Sequence, residues 1–149
     1  MRQGRRRLGR ILSLRLDEWT MLLEAVATLV AVRVLLHLIE FSKVIGWIKR
    51  VDTSRADDWT RSRVERVAWL VDVAGRLTGM RCLPRSLTLA RMLARRGLAA
   101  DVRIGVQTAD GRLKAHAWVE WMGCALNDSP RHLQEFVPFE SAIGNHSNV

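Results

Sequence analysis

The spacing of apolar residues changes character along this chain. From Met21 to Ile39 the run MLLEAVATLVAVRVLLHLI is apolar on nearly every side, interrupted by Glu24, Arg33 and His37. Its length favours a helix, and Asp17 and Glu18 stand where a helix N-terminus favours acids, which predicts one helix over Asp17 to Phe41. Ser42 to Arg50 continues it as a short amphipathic piece. DTSRADDW, Asp52 to Trp59, is polar and loop-like and marks a boundary. From Thr60 to Thr78, Val64, Val67, Ala68, Val71 and Ala74 recur at helical spacing with arginines on the other faces. Gly79 and Met80 end that helix. RCLPRSLTLARMLARRG predicts a third, because Leu87, Leu89, Ala90 and Leu93 supply an apolar stripe and Gly97 a C-terminal cap. Pro84 is tolerated only in a first turn, so Cys82 stands at the start of this helix.

Beyond Gly97 the period falls to two. Val102, Ile104 and Val106 alternate with Arg103, Gly105 and Gln107, and TADG (Thr108 to Gly111) signals a turn. LKAHAWVEW, Leu113 to Trp121, alternates again: Ala115, Ala117, Val119 and Trp121 form a packing face, while Lys114, His116, Trp118 and Glu120 form the opposite, working face. Met122 and Gly123 make a second tight turn, and Cys124 to Asp128 reads as a short third strand. The last segment, SPRHLQEFVPF, reads as loop-rich, and GNHSNV as a fraying end. Helices followed by a three-stranded antiparallel meander give an α+β fold, with helices packed on a small sheet and an apolar helix preceding it. The expected divisions are a basic arm over 1–16, an apolar helical segment over 17–50 and a domain over 60–149.

Charge adds an asymmetry. The 149 residues carry 24 basic and 15 acidic side chains, a net charge of +9. Residues 1–16 hold six arginines and no acid, whereas the chain from Val106 onward holds five acids and three basic residues. A basic head can attract nucleic acid, anionic lipid or an acidic peptide. No recognised nucleic-acid-binding module accompanies it, so no nucleic-acid partner is expected. Met21 to Ile39 is about as long as a bilayer span of roughly 20 residues. An arginine near the middle of a span is costly, so the expectation is a buried or interfacial helix. The expected location is cytoplasmic, with peripheral membrane contact through the basic arm and first helix as the open alternative.

Three residues then stand out. Cys82 opens a helix, where the dipole and free N–H groups stabilise a thiolate and can hold an oxyanion. His116 lies 34 residues further on and Asp128 another 12. A hairpin turning at Met122 and Gly123 brings residue 128 roughly opposite residue 116, within side-chain reach. An imidazole can take the thiol proton and return it to a leaving amine, and a carboxylate can hold the imidazole's tautomer. Trp118, on the face of His116, is a candidate for shielding the pair and contacting substrate. Each residue has a plainer reading: a buried small thiol, a structural histidine, a turn aspartate in NDSP. Cys124 reads as packing. Cys82, His116, Cys124 and His132 lack paired ligand spacing such as C-x-x-C or H-x-x-x-H, so no metal and no cofactor are expected.

CLPRSLTLARMLARRG, then VRIGV, then AHAWVE, together resemble the leader peptidase that matures lasso peptides, the lasso B protein in its short split form. The resemblance runs from about Ala68 to Asp128. It implies a transglutaminase-like (papain-like) cysteine protease core, with Cys82 as nucleophile, His116 as base and Asp128 as orienting acid. It also implies a ribosomally made precursor peptide as substrate, a separate small leader-recognition protein and an ATP-dependent cyclase as partners. The short length fits the split form. The very basic arm departs from that pattern, and the resemblance implies no role for it. Two other classes stay open: a transamidase using the same three residues, and a non-catalytic peptide-binding or membrane-associated scaffold.

Overall fold

The computed structural model describes residues 15–50, 59–109 and 111–138. The basic arm up to residue 14, most of the polar run 52–59, Asp110 of the first turn and the C-terminal GNHSNV lie outside the described residues. Helix α1 spans Leu16–Leu38, α2 Phe41–Ile48, α3 Arg61–Leu77 and α4 Cys82–Ala94. Strands β1 (Asp101–Ala109), β2 (Arg112–Trp121) and β3 (Cys124–Ala125) follow, then a one-turn helix α5 (Pro130–Leu133) and a short strand β4 (Val137–Pro138).

The first helical run is two helices rather than one. Ile39 takes an extended backbone, and the carbonyl of Glu40 accepts the N–H groups of Lys43 and Val44 to start α2. No glycine or proline marks this bend. It turns the chain so that Val44, Ile45 and Ile48 are buried in the common core. Arg91 of α4 secures the end of α2: its Nη1 donates to the carbonyls of Trp47 and Arg50 at 3.1 and 3.0 Å, and its guanidinium lies 4.7 Å from the Trp47 ring centroid.

Leu22, Ala25, Leu29 and Val32, at steps of three and four along α1, are buried against α3 and α4. The same core takes Val64, Val67, Leu70 and Val71 from α3, Leu87, Leu89 and Leu93 from α4, and Val102 and Val119 from the sheet. Residues Leu22 to Ile48 and Val64 to Val119 therefore contribute to one core cluster. The acid inside the apolar run is paired: Glu24 accepts from Arg96 at 2.6 Å and lies 3.4 Å from Arg95. By length and composition α1 is apolar enough to cross a membrane, and its outer face stays exposed, with Leu23 65% and Leu38 74% accessible.

The sheet is antiparallel with the order β3-β2-β1-β4, one strand more than the pattern predicts. β4 is only two residues long and one of them is proline, so neither periodicity nor propensity announces it. Proline is tolerated there because the strand sits on the sheet edge. The third strand is shorter than expected and ends at Ala125. Consecutive positive φ values at Met122 (50°) and Gly123 (75°) form the tight turn that the sequence predicts. That turn sets Trp121 opposite Cys124 and Glu120 opposite Ala125.

The face expected to be wholly a working face is partly a second apolar layer. Trp118 is 3% exposed, Phe136 is 8% exposed, and both lie over Gly105, which pairs with His116 across β1 and β2. A Cβ on Gly105 would sit 3.0 Å from the Trp118 ring and 3.1 Å from Phe136 Cβ. Rigid rings cannot yield as a flexible side chain can, so Gly105→Ala is expected to destabilise the fold by about 1–3 kcal/mol through overpacking. Urea unfolding at neutral pH measures it, and an unchanged midpoint would contradict the tight packing.

Candidate active site

A buried serine and a half-buried asparagine fix the site before any reactive group is considered. Ser86, one turn after Cys82 on α4, donates its hydroxyl to the carbonyl of Ala117 at 2.9 Å. Asn127 donates its Nδ2 to Ser86 Oγ at 3.0 Å and accepts the N–H of Val119 at its Oδ1 at 2.8 Å. Where β3 stops, Asn127 thus continues the pairing to β2 with its side chain. The relay joins neighbours of all three predicted catalytic residues: a residue one turn from Cys82, the one after His116 and the one before Asp128.

On this frame His116 Nε2 and Asp128 Oδ2 lie 2.5 Å apart, with side chains 18% and 15% exposed. A carboxylate at Nε2 favours the tautomer that carries its proton there, leaving Nδ1 with the lone pair. Cys82 is half-buried at the first position of α4. Arg81 provides no side-chain cap and Pro84 has no N–H, so the N–H groups of Cys82 and Leu83 can serve an oxyanion. Cys82 and His116 line two cavities together. One, of about 250 Å³, also has Asp72, Arg85, Asn127, Asp128 and His132 in its walls. The other, of about 370 Å³, has Leu36, Leu83, Pro84 and Ile104. The three predicted residues are thus gathered in one region.

His132 joins them unexpectedly. Its Nδ1 lies 2.8 Å from the same Asp128 Oδ2, and its ring meets the His116 ring edge-on at 5.1 Å. Ser129 caps α5 by accepting the N–H of His132, and Pro130 begins the helix. The signal was present in DSPRH: a serine cap followed by proline starts a helical turn, which sets residues 128 and 132 on one side. Ligand atoms of His116, Asp128 and His132 all lie within 4.8 Å, a spacing a divalent ion can bridge. A search for C-x-x-C or H-x-x-x-H passes over D-x-x-x-H, so the sequence reading missed this cluster. Within the cluster His116 Nε2 and His132 Nδ1 are both already bonded to Asp128 Oδ2.

The other assignments shift in detail. Trp118, expected as a substrate contact, is buried and stacks near His116 with a centroid distance of 6.2 Å and an interplanar angle of 17°. It forms a wall behind the imidazole, and its Nε1 donates to Glu120 at 2.9 Å. Cys124 is half-buried, with Arg61 Nη1 3.4 Å from its sulfur, a contact across 63 residues that local sequence cannot reveal. Arg85 crosses Gly75 of α3, where a Cβ would overlap its side chain, and pairs with Asp72 at 2.8 Å in the cavity wall.

Burial pushes the Asp128 carboxyl up, but hydrogen bonds from His132, the Ser129 N–H and His116 outweigh it and hold the group below the usual carboxylate range. A depressed folded value stabilises the fold above the unfolded value, near pH 4, and that contribution disappears as pH falls through the folded value. The stability gap between the native protein and Asp128→Asn is therefore expected to be widest near neutral pH and to shrink below about pH 4, as urea unfolding across pH would show. Ser86→Ala leaves the Ala117 carbonyl and the Asn127 amide without their shared partner. The expected loss is about 1–3 kcal/mol in the same assay, and a neutral result would remove the relay's structural role.

The model of a family described as the transglutaminase-like superfamily matches residues 26–141, from within α1 to beyond β4. No curated protein and no solved structure matches the chain. That superfamily includes cysteine proteases and transamidases. With an α+β fold, a cysteine opening a helix and a histidine on the adjoining sheet, the chain belongs to the transglutaminase-like superfamily.

Proposed function

We propose that this protein is a cysteine peptidase that removes the leader from a ribosomally made lasso peptide precursor. The observation that carries the chemistry is that Cys82 and His116 line common cavities while His116 is bonded to Asp128. The substrate assignment is supported by the resemblance of CLPRSLTLARMLARRG and AHAWVE to the split lasso B peptidase. His116 takes the Cys82 proton, and the sulfur attacks the carbonyl carbon between leader and core. The N–H groups of Cys82 and Leu83 stabilise the oxyanion as the tetrahedral intermediate forms. The imidazolium protonates the departing amine of the core, and water, activated by the same imidazole, hydrolyses the thioester. Asp128 orients the ring and balances its charge.

Under this reading a small recognition protein presents the leader, and a cyclase consumes the freed core. Peripheral membrane contact through the basic arm and the exposed face of α1 is part of the same proposal. No nucleic acid, metal or cofactor has a role in it. A transamidase would run the first half-reaction identically and differ only in the acceptor that resolves the thioester.

The test combines the full chain with its precursor and recognition protein and follows products by mass. Cys82→Ala is expected to abolish cleavage, and Asp128→Ala to lower kcat by about 10²- to 10⁴-fold. Cleavage by Cys82→Ala at the native rate would overturn the assignment. An amine adduct in place of the free acid would identify a transamidase.

A further inference from the structure

The two cavities that meet at Cys82 differ in chemistry. Among the lining residues of the larger one, Leu36, Leu83, Pro84 and Ile104 are half-buried aliphatic groups contributed by α1, α4 and β1. Arg33 and Arg81 are also in its walls, both exposed, and the lining includes no acid. Among the described residues neither arginine has a carboxylate within ion-pair distance. Arg33 Nη1 instead approaches Met80 Sδ at 3.9 Å. In the smaller cavity Arg85 and Arg76 are both held by Asp72, at 2.8 Å each. The larger cavity thus offers apolar walls and uncommitted positive charge beside the sulfur.

We propose that this cavity is a specificity subsite for a peptide carrying a branched aliphatic side chain beside the scissile bond, with an acidic residue next to it facing Arg33 and Arg81. The proposal rests on Cys82 being the nucleophile. An aliphatic side chain gains by leaving water against Leu36 and Ile104, and a carboxylate gains from two guanidinium groups that have no carboxylate partner among the described residues. α1 is then part of the substrate site: its inner residues build the core, and its next turn builds the subsite. Arg33, the residue that makes α1 costly as a membrane span, is one of the exposed residues lining this cavity.

The test uses a series of blocked peptidyl chloromethyl ketones on the full chain, with alkylation of Cys82 followed by mass. In each reaction the sulfur displaces chloride and forms a thioether. A leucyl probe is expected to react at least about tenfold faster than its alanyl counterpart, the discrimination typical of an apolar pocket. A Glu-Leu probe is expected to outrun a Lys-Leu probe, and Arg33→Gln together with Arg81→Gln to erase that difference. Leu36→Ala and Ile104→Ala are each expected to lower the leucyl-to-alanyl ratio. The ratio is independent of how much protein is folded, so instability of a variant does not mimic the effect.

Equal leucyl and alanyl rates, a ratio unmoved in both variants, or no reaction of Cys82 with any member overturns the subsite. Cleavage of the precursor alongside a flat probe series keeps the peptidase and removes the subsite. A steep series without precursor cleavage keeps the subsite and removes the peptidase.

Discussion

The site depends on a buried polar link between α4 and β2. Ser86 is fully buried and cannot leave its hydroxyl unpaired without a desolvation penalty, so its bond to the Ala117 carbonyl fixes one turn of α4 against one point on the strand. Asn127 extends the link to the loop that carries Asp128. Because Cys82, His116 and Asp128 each stand within a turn or a residue of a member of this relay, none can move far independently. Hydrophobic burial supplies the bulk of the stability, but it is non-directional and would permit α4 to slide along the sheet. The hydrogen bonds, being directional, remove that freedom.

α1 illustrates how one element answers several demands. Its inner stripe is core, its acid Glu24 meets Arg96, and its later residues Arg33 and Leu36 reach the cavity beside Cys82. The family match begins at residue 26 and so includes most of it. An exposed apolar outer face remains on a helix whose preceding residues are rich in arginine. That combination is compatible with an interfacial helix, because the burial of its inner face and the position of its outer face are independent.

Asp128 shows how a single carboxylate organises a cluster. Its Oδ2 faces both His116 and His132, while Oδ1 accepts the N–H of Ser129. These bonds outweigh the cost of partial burial and keep it ionised. Phe136 and Trp118 flank the imidazole, so the face that reads in sequence as a working face is partly a second apolar layer. The reading failed there because alternation tells which residues share a face but not what later chain returns to cover it.

By itself the sequence determined what local chemistry dictates. Pro84 set the start of α4 and so the position of Cys82. The Met122–Gly123 turn set the register, and with it the meeting of His116 and Asp128. The apolar spacing of α3 and the alternation of β1 and β2 were legible because helix and strand periods are short-range properties. Only the tertiary structure decided the bend at Ile39, the two-residue strand β4, the Ser86–Asn127 relay, the Arg61–Cys124 contact and the merging of α1 into the core. Each of these joins residues far apart in sequence, and its free energy comes from burial or hydrogen bonding that no local window contains. His132 lies between the two classes: the turn that places it is written in DSPRH, but the partner that gives it meaning arrives only when the loop after β3 is tied down across β2.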